Sequence, residues 1–230
     1  IHRTRSKSGV KDDVAVTTTT KVLHMIHSNE IQSLKEIDCV SVDGTEDSNN
    51  NVTEVHVSYN KLKTLKHLSI FPNLATIDAN HNEIKYICSA CDEYGNTNED
   101  TSGINVSNQQ QDQHSTCNFV ANEWPRSMNF LLNLDLSYNL ISSLPDLKSM
   151  PFLRTLNLRR NVLKEPLKSL EYGHNLEILD LRENRLSWTP QEFEEVSKVI
   201  SKLAQLRNIY FHGNPFIQSL PNYASFIAKY

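Results

Sequence analysis

Residues 131–161 read LLNLDLSYNLISSLPDLKSMPFLRTLNLRRN, and this stretch decides the fold. Leu131, Leu134, Leu136 and Asn139 are matched by Leu153, Leu156, Leu158 and Asn161, a period of 161 − 139 = 22 positions. In a short strand residues two apart share a face, so Leu134 and Leu136 both point into a core. An asparagine after them can donate twice and accept once, which pairs backbone groups at a tight turn that would otherwise be buried unpaired. Ile141 and Leu144 then bring the chain back along the other side. One such coil has no closed core and needs stacked neighbours.

The same register extends both ways. Asn82 follows Leu74, Ile77 and Ala79, and Asn60 follows Val55 and Val57. Asn184 follows Leu176, Leu179 and Leu181, and Asn214 follows Leu206, Ile209 and Phe211. A degenerate first unit is placed at Ile26 and Asn29, with Ile31 and Leu34 behind it. Amphipathic helices would not repeat LxL and then Asn in phase, so the pattern predicts a solenoid of α/β class with a parallel sheet lining its concave side. Residues 21–230 form one such domain.

Departures from the period mark insertions. Residues 43–51 (DGTEDSNNN) account for the long step between Asn29 and Asn60. From Asn82 to Asn139 the step is 57, one period plus 35 positions, filled by residues 88–122. That segment has no Lys or Arg and few apolar side chains, so a loop without stable order is expected. Residues 1–20, with Arg3, Arg5, Lys7 and Lys11 followed by a threonine run, are expected to be a disordered basic lead-in. The formal net charge of −4 argues against general nucleic-acid binding, and no apolar run reaches membrane-spanning length.

Residues 189–206 predict a helix on the convex side. Thr189 is its cap, Pro190 its first residue and Glu192 the reciprocal member of a capping box. Trp188 and Phe193 occupy the two staple positions, and Phe193, Val196, Ile200 and Leu203 form the buried stripe. Residues 207–230, IYFHGNPFIQSLPNYASFIAKY from Ile209 on, close the chain. With the LxxNxIxxL core, Gly213-Asn214-Pro215-Phe216 and Tyr223 resemble the terminal cap of the short, 22-residue class of leucine-rich-repeat proteins. That class includes the leucine-rich regulatory subunit of protein phosphatase one and the leucine-rich axonemal dynein light chain. The class's basic residue after the tyrosine is Ala224 here and its closing leucine segment is missing, so a shortened cap or a fragment is expected. The resemblance implies a non-enzymatic scaffold or regulatory subunit that binds a protein partner on its concave sheet, as a monomer within a hetero-complex. Secreted members carry cysteine-clustered caps, whereas Cys39, Cys88, Cys91 and Cys117 are scattered; a cytoplasmic setting, cytoskeletal or ciliary, is the expectation.

Residues four, two and one before each register asparagine are expected to face the concave side. This selects His56, Tyr59, Asp78, His81, Asp135, Tyr138, Arg159, Arg160, Asp180, Arg182, Tyr210 and His212 as partner-binding candidates. Tyr and Arg are the types enriched at interface hot spots. Asp135 and Asp180 equally suit a purely structural role in the repeat. Within the insertion, Cys88-x-x-Cys91 and His114-x-x-Cys117 have the ligand types of a zinc site. The intervening stretch is long and polar, so incidental loop cysteines are the stronger reading. No phosphate-binding loop, nucleophile elbow or paired catalytic carboxylates are present, and no cofactor is expected. The other readings are a recognition module of a longer enzyme and an extracellular recognition fragment.

Overall fold

The computed structural model describes residues 2–4, 14–17, 22–24, 31–32, 34, 52–65, 68, 71–85, 126–164, 167–220 and 222–223. Seven short parallel strands stack in chain order: β3 (Val22–His24), β4 (Glu54–His56), β5 (Thr76–Asp78), β6 (Asn133–Asp135), β7 (Thr155–Asn157), β8 (Ile178–Asp180) and β9 (Asn208–Tyr210). They pair in one register, Leu23, Val55, Ile77, Leu134, Leu156, Leu179 and Ile209 lying side by side. All but the terminal Ile209 are buried, as are Val57, Ala79, Leu136, Leu158, Leu181 and Phe211 two positions on. Burying one such leucine contributes about 1.5–3 kcal/mol, and only stacking makes it possible.

The register asparagines bolt each coil to the one before. Asn161 shows the pattern: its Oδ1 accepts from Ile141 N at 2.9 Å, while its Nδ2 donates to Leu136 O at 2.9 Å and Leu158 O at 3.1 Å. Asn82, Asn139, Asn184 and Asn214 repeat it. Asn139 makes these bonds to Ile84 and Ala79, and β5 pairs directly with β6. The 88–122 insertion, itself outside the described residues, therefore interrupts the sequence and leaves the stack continuous.

The first unit differs from expectation. Its strand is Val22–His24, with Leu23 opposite Val55, so its centre lies six positions before Asn29 where Val55 lies five before Asn60. Ile31 and Leu34 are core residues as predicted, and Lys61 N donates to Ile31 O at 3.0 Å. Ile26 and Asn29 lie outside the described residues, so the asparagine's part in this unit is not seen. Leu23 to Ile31 is 31 − 23 = 8 positions against 62 − 55 = 7 for Val55 to Leu62, which is why the register of later units mislocates this strand.

The lead-in is corrected as well. β1 (His2–Thr4) and β2 (Val14–Thr17) pair antiparallel, and β2 pairs antiparallel with β3. Val14, Val16 and Thr17 suit a strand, and the open edge of β3 supplies a template that composition alone does not reveal.

On the convex side 3-10 turns, among them Arg126–Phe130, Leu147–Ser149 and Lys168–Tyr172, carry the chain back. Helix α1 (Pro190–Ile200) carries the predicted capping box: Thr189 Oγ1 accepts from Glu192 N at 3.3 Å and Glu192 Oε2 accepts from Thr189 N at 2.8 Å. It ends at Ile200, earlier than the 189–206 expectation, and Leu203 reaches the core from the turns that follow. Trp188 packs on Phe193 with ring centroids 6.2 Å apart, closing the staple. Phe211, Phe216 at the start of α2 (Phe216–Ser219) and Tyr223 complete an aromatic plug over the last coil.

Candidate partner-binding face

Each strand buries its central residue, so the residues before and after it face the concave side. The row after it is His24, His56, Asp78, Asp135, Asn157, Asp180 and Tyr210, all in register. The row before it (Glu54, Thr76, Asn133, Thr155, Ile178, Asn208) shares that face and was missed from sequence. The strand's two-residue alternation was the signal that could have found it. Ile178 is an exposed apolar member of this row.

The second-half residues of each coil obey a turn rule. Oδ1 of Asp78, Asp135, Asn157 and Asp180 accepts from the backbone N–H two positions on, at Asn80 (3.3 Å), Ser137 (2.9 Å), Arg159 (3.1 Å) and Arg182 (3.0 Å). These side chains end each strand by satisfying the N–H that the turn frees. The structural role of Asp135 and Asp180 is thereby explained. Asp180 is only 6% exposed and bound to Arg182, so it is withdrawn from the surface candidates. Ser58 and Ser137, two before their asparagines, are buried and do not face out.

One before each asparagine, the backbone is left-handed: Tyr59, His81, Tyr138, Arg160 and Glu183 have φ of 52–57°, and Gly213 has 79°. This common conformation lifts the side chains out along one line. Tyr59 stacks on His81 (4.2 Å, 12°) and His81 on Tyr138 (4.0 Å, 14°). The Arg160 guanidinium lies 5.0 Å above the Tyr138 ring and Arg159's lies at 5.9 Å. Arg160 in turn pairs with Glu183. A Cβ on Gly213 would meet Glu183 Cγ at 2.9 Å, so the column closes on a glycine that nothing larger could replace without a shift. His24 and His56 form a parallel stack in the strand row, 4.8 Å apart.

The arginines are not bare cations. Arg159 Nε donates to Glu183 Oε1 at 2.8 Å, Arg160 holds the other oxygen, and Arg182 grips Asp180 with Tyr210 5.2 Å away. Hydrogen bonds from Arg160 and then Arg159 hold the Glu183 carboxyl below its ordinary value, and those bonds raise Arg160 in return. Asp180 likewise raises Arg182. Tyr59, Tyr210 and His212 are exposed; His56, Asp78, His81, Asp135, Tyr138, Arg159 and Arg182 are half-buried.

Among the described residues no group of three or more His, Cys, Asp or Glu is placed to hold a metal, and no helix is long and apolar enough to cross a membrane. Cys88, Cys91, His114 and Cys117 lie outside the described residues. A family model described as Leucine Rich Repeat matches residues 175–195. Three solved structures are similar in fold. A leucine-rich-repeat protein of Leptospira interrogans is 19% identical with a TM-score of 0.48, over 74% of this chain and 40% of its own. An internalin from Listeria monocytogenes is 18% identical with a TM-score of 0.45, over 80% and 46%. The leucine-rich-repeat ectodomain of a receptor kinase from Arabidopsis thaliana is 21% identical with a TM-score of 0.41, over 66% and 65%. The chain thus spans less than two thirds of each. No curated protein matches it.

Proposed function

We propose that this leucine-rich-repeat chain is a non-enzymatic interaction module, a scaffold or regulatory subunit, that binds a protein partner on its concave sheet. The observation that carries this reading is the column Tyr59, His81, Tyr138 and Arg160, held on one line by a shared left-handed backbone. Rings that are already stacked lose little freedom on binding, and that economy distinguishes a hot spot from an ordinary exposed aromatic. A sheet face spanning seven parallel strands suits a macromolecule better than a small substrate. Tyr210 and Arg182 extend the same surface toward β9.

The test is affinity for a partner recovered from the native tissue. Tyr138→Ala is expected to cost about 2 kcal/mol of binding. Arg159→Glu should slow association and alter its salt dependence. Lys198→Glu on α1, whose side chain pairs with Glu194 on the convex side, should change neither. Binding lost in the α1 variant and kept in the two concave variants would move the site to the outer face.

A further inference from the structure

The concave face carries two unequal halves of charge, and the inequality is visible only once the ion pairs are known. On β7 and β8 the three arginines Arg159, Arg160 and Arg182 meet Glu183 and Asp180, leaving one surplus positive charge. On β4 to β6, Glu54, Asp78 and Asp135 meet no Lys or Arg among the described residues. Among the described residues Asp135 accepts from Ser137 and Asn157, Asp78 accepts from Asn80, and the titratable side chain near Glu54 and Asp78 is His56, at 3.5 and 3.6 Å. Counting residues alone would stress the arginines; counting their ion pairs places the larger uncompensated charge, which is negative, on β4 to β6.

Spacing selects the partner's shape. Neighbouring strands lie about 4.8 Å apart. A helix lying across them advances about 5.4 Å per turn, so successive turns meet successive strands with little drift. An extended strand repeats on one side every ~6.6 Å and falls out of step within two coils. The helix dipole adds a direction, because its positive amino end is favoured over the carboxylates and its negative carboxyl end over the arginines.

Resting on the concave-face reading above, we infer that the partner element is an amphipathic helix with basic residues at one-turn spacing. Its amino end lies over β4–β6, opposite Asp78 and Asp135, and its carboxyl end lies over β7–β8. Lysine stems would lie along the edges of the Tyr59 and Tyr138 rings while their ammonium groups reach the carboxylates.

The experiment uses the full chain and two hydrocarbon-stapled helical peptides of identical composition. One carries its lysines in the amino-terminal turns and glutamates in the carboxyl-terminal turns; the other has the reverse order. Affinity is measured at low and high salt, with backbone amide shifts to locate each peptide. The lysine-first peptide is expected to bind about fivefold tighter, because the reverse peptide keeps the same ion pairs only by docking backwards, with both ends of its dipole opposed, and the gap should shrink as salt rises. In Asp78→Asn/Asp135→Asn the gap should close. That double variant keeps the turn acceptor, because Asn157 already serves that role in the same row. Equal affinities with shifts confined to β4–β8 would overturn the polarity while leaving the concave docking surface standing. Shifts centred on α1 would overturn both readings. Absence of binding by either peptide, or a preference that persists in the double variant, overturns the inference and leaves the Tyr138→Ala test of the docking surface unaffected.

Discussion

Two rows of residues run the length of this solenoid one position apart, and they behave in opposite ways. The asparagine row (Asn60, Asn82, Asn139, Asn161, Asn184, Asn214) is buried, with the same inter-coil bonds repeated from Asn82 to Asn214. The row just before it keeps one backbone conformation but changes its side chain from Tyr through His and Arg to Glu and Gly. A repeat can therefore fix a backbone without fixing chemistry. Where three partners must be met at once only Asn serves; where the sole requirement is a left-handed φ, the side chain is left open to recognition.

The sharpest way to break that contrast is Asn161→Ala. It leaves Ile141 N buried without a partner, at about 1–3 kcal/mol, and takes one of two bonds from Leu136 O and from Leu158 O, which keep Asn139 Nδ2 and Asn184 Nδ2, so the cost should be about 2–4 kcal/mol by chemical denaturation. Gly213→Ala comes next, at about 2 kcal/mol, because it adds left-handed strain and a Cβ against Glu183. A loss nearer that of an ordinary surface change would mean the end of the column is looser than the geometry shows. Tyr138→Ala should cost about 1 kcal/mol of stability, from the His81 stack and the Arg160 contact, besides its effect on affinity. A surface residue without these contacts would move stability by only a few tenths of a kcal/mol.

The smallest effect is titration of Glu183. Its carboxyl sits below its ordinary value of 4.5, so its contribution is present above that value and is lost as pH falls through the lower folded value. Denaturation midpoints taken from neutral pH to below 4.5 should converge for the native chain and Glu183→Gln. A difference that stays constant with pH would show that the Arg159–Glu183–Arg160 contacts do not couple to folding.

Legibility followed the density of local rules. The six asparagine units, the capping box at Thr189 and Glu192 and the Trp188–Phe193 staple were readable because each depends on residues a few positions apart. Helix α1 stops at Ile200 because Leu203 is delivered to the core by turns, which a periodic stripe cannot distinguish from another helical turn. β1 and β2 were missed because their pairing depends on an edge supplied by β3 and not on their own composition. The concave face was half-legible. Its residues follow from the register, but the left-handed row and the neutralisation of the arginines do not.

The sequence by itself determined the period, the buried leucines, the asparagine positions and the cap of α1, because each is a demand made within one coil or between equivalent positions of neighbouring coils. Only the tertiary structure decided which charges remain uncompensated and which rings stack. Those depend on contacts between coils, such as Arg159 with Glu183 across one strand spacing, or His81 between Tyr59 and Tyr138 across the 88–122 insertion. Side-chain identity names the charge; the neighbour in space decides whether it is still available.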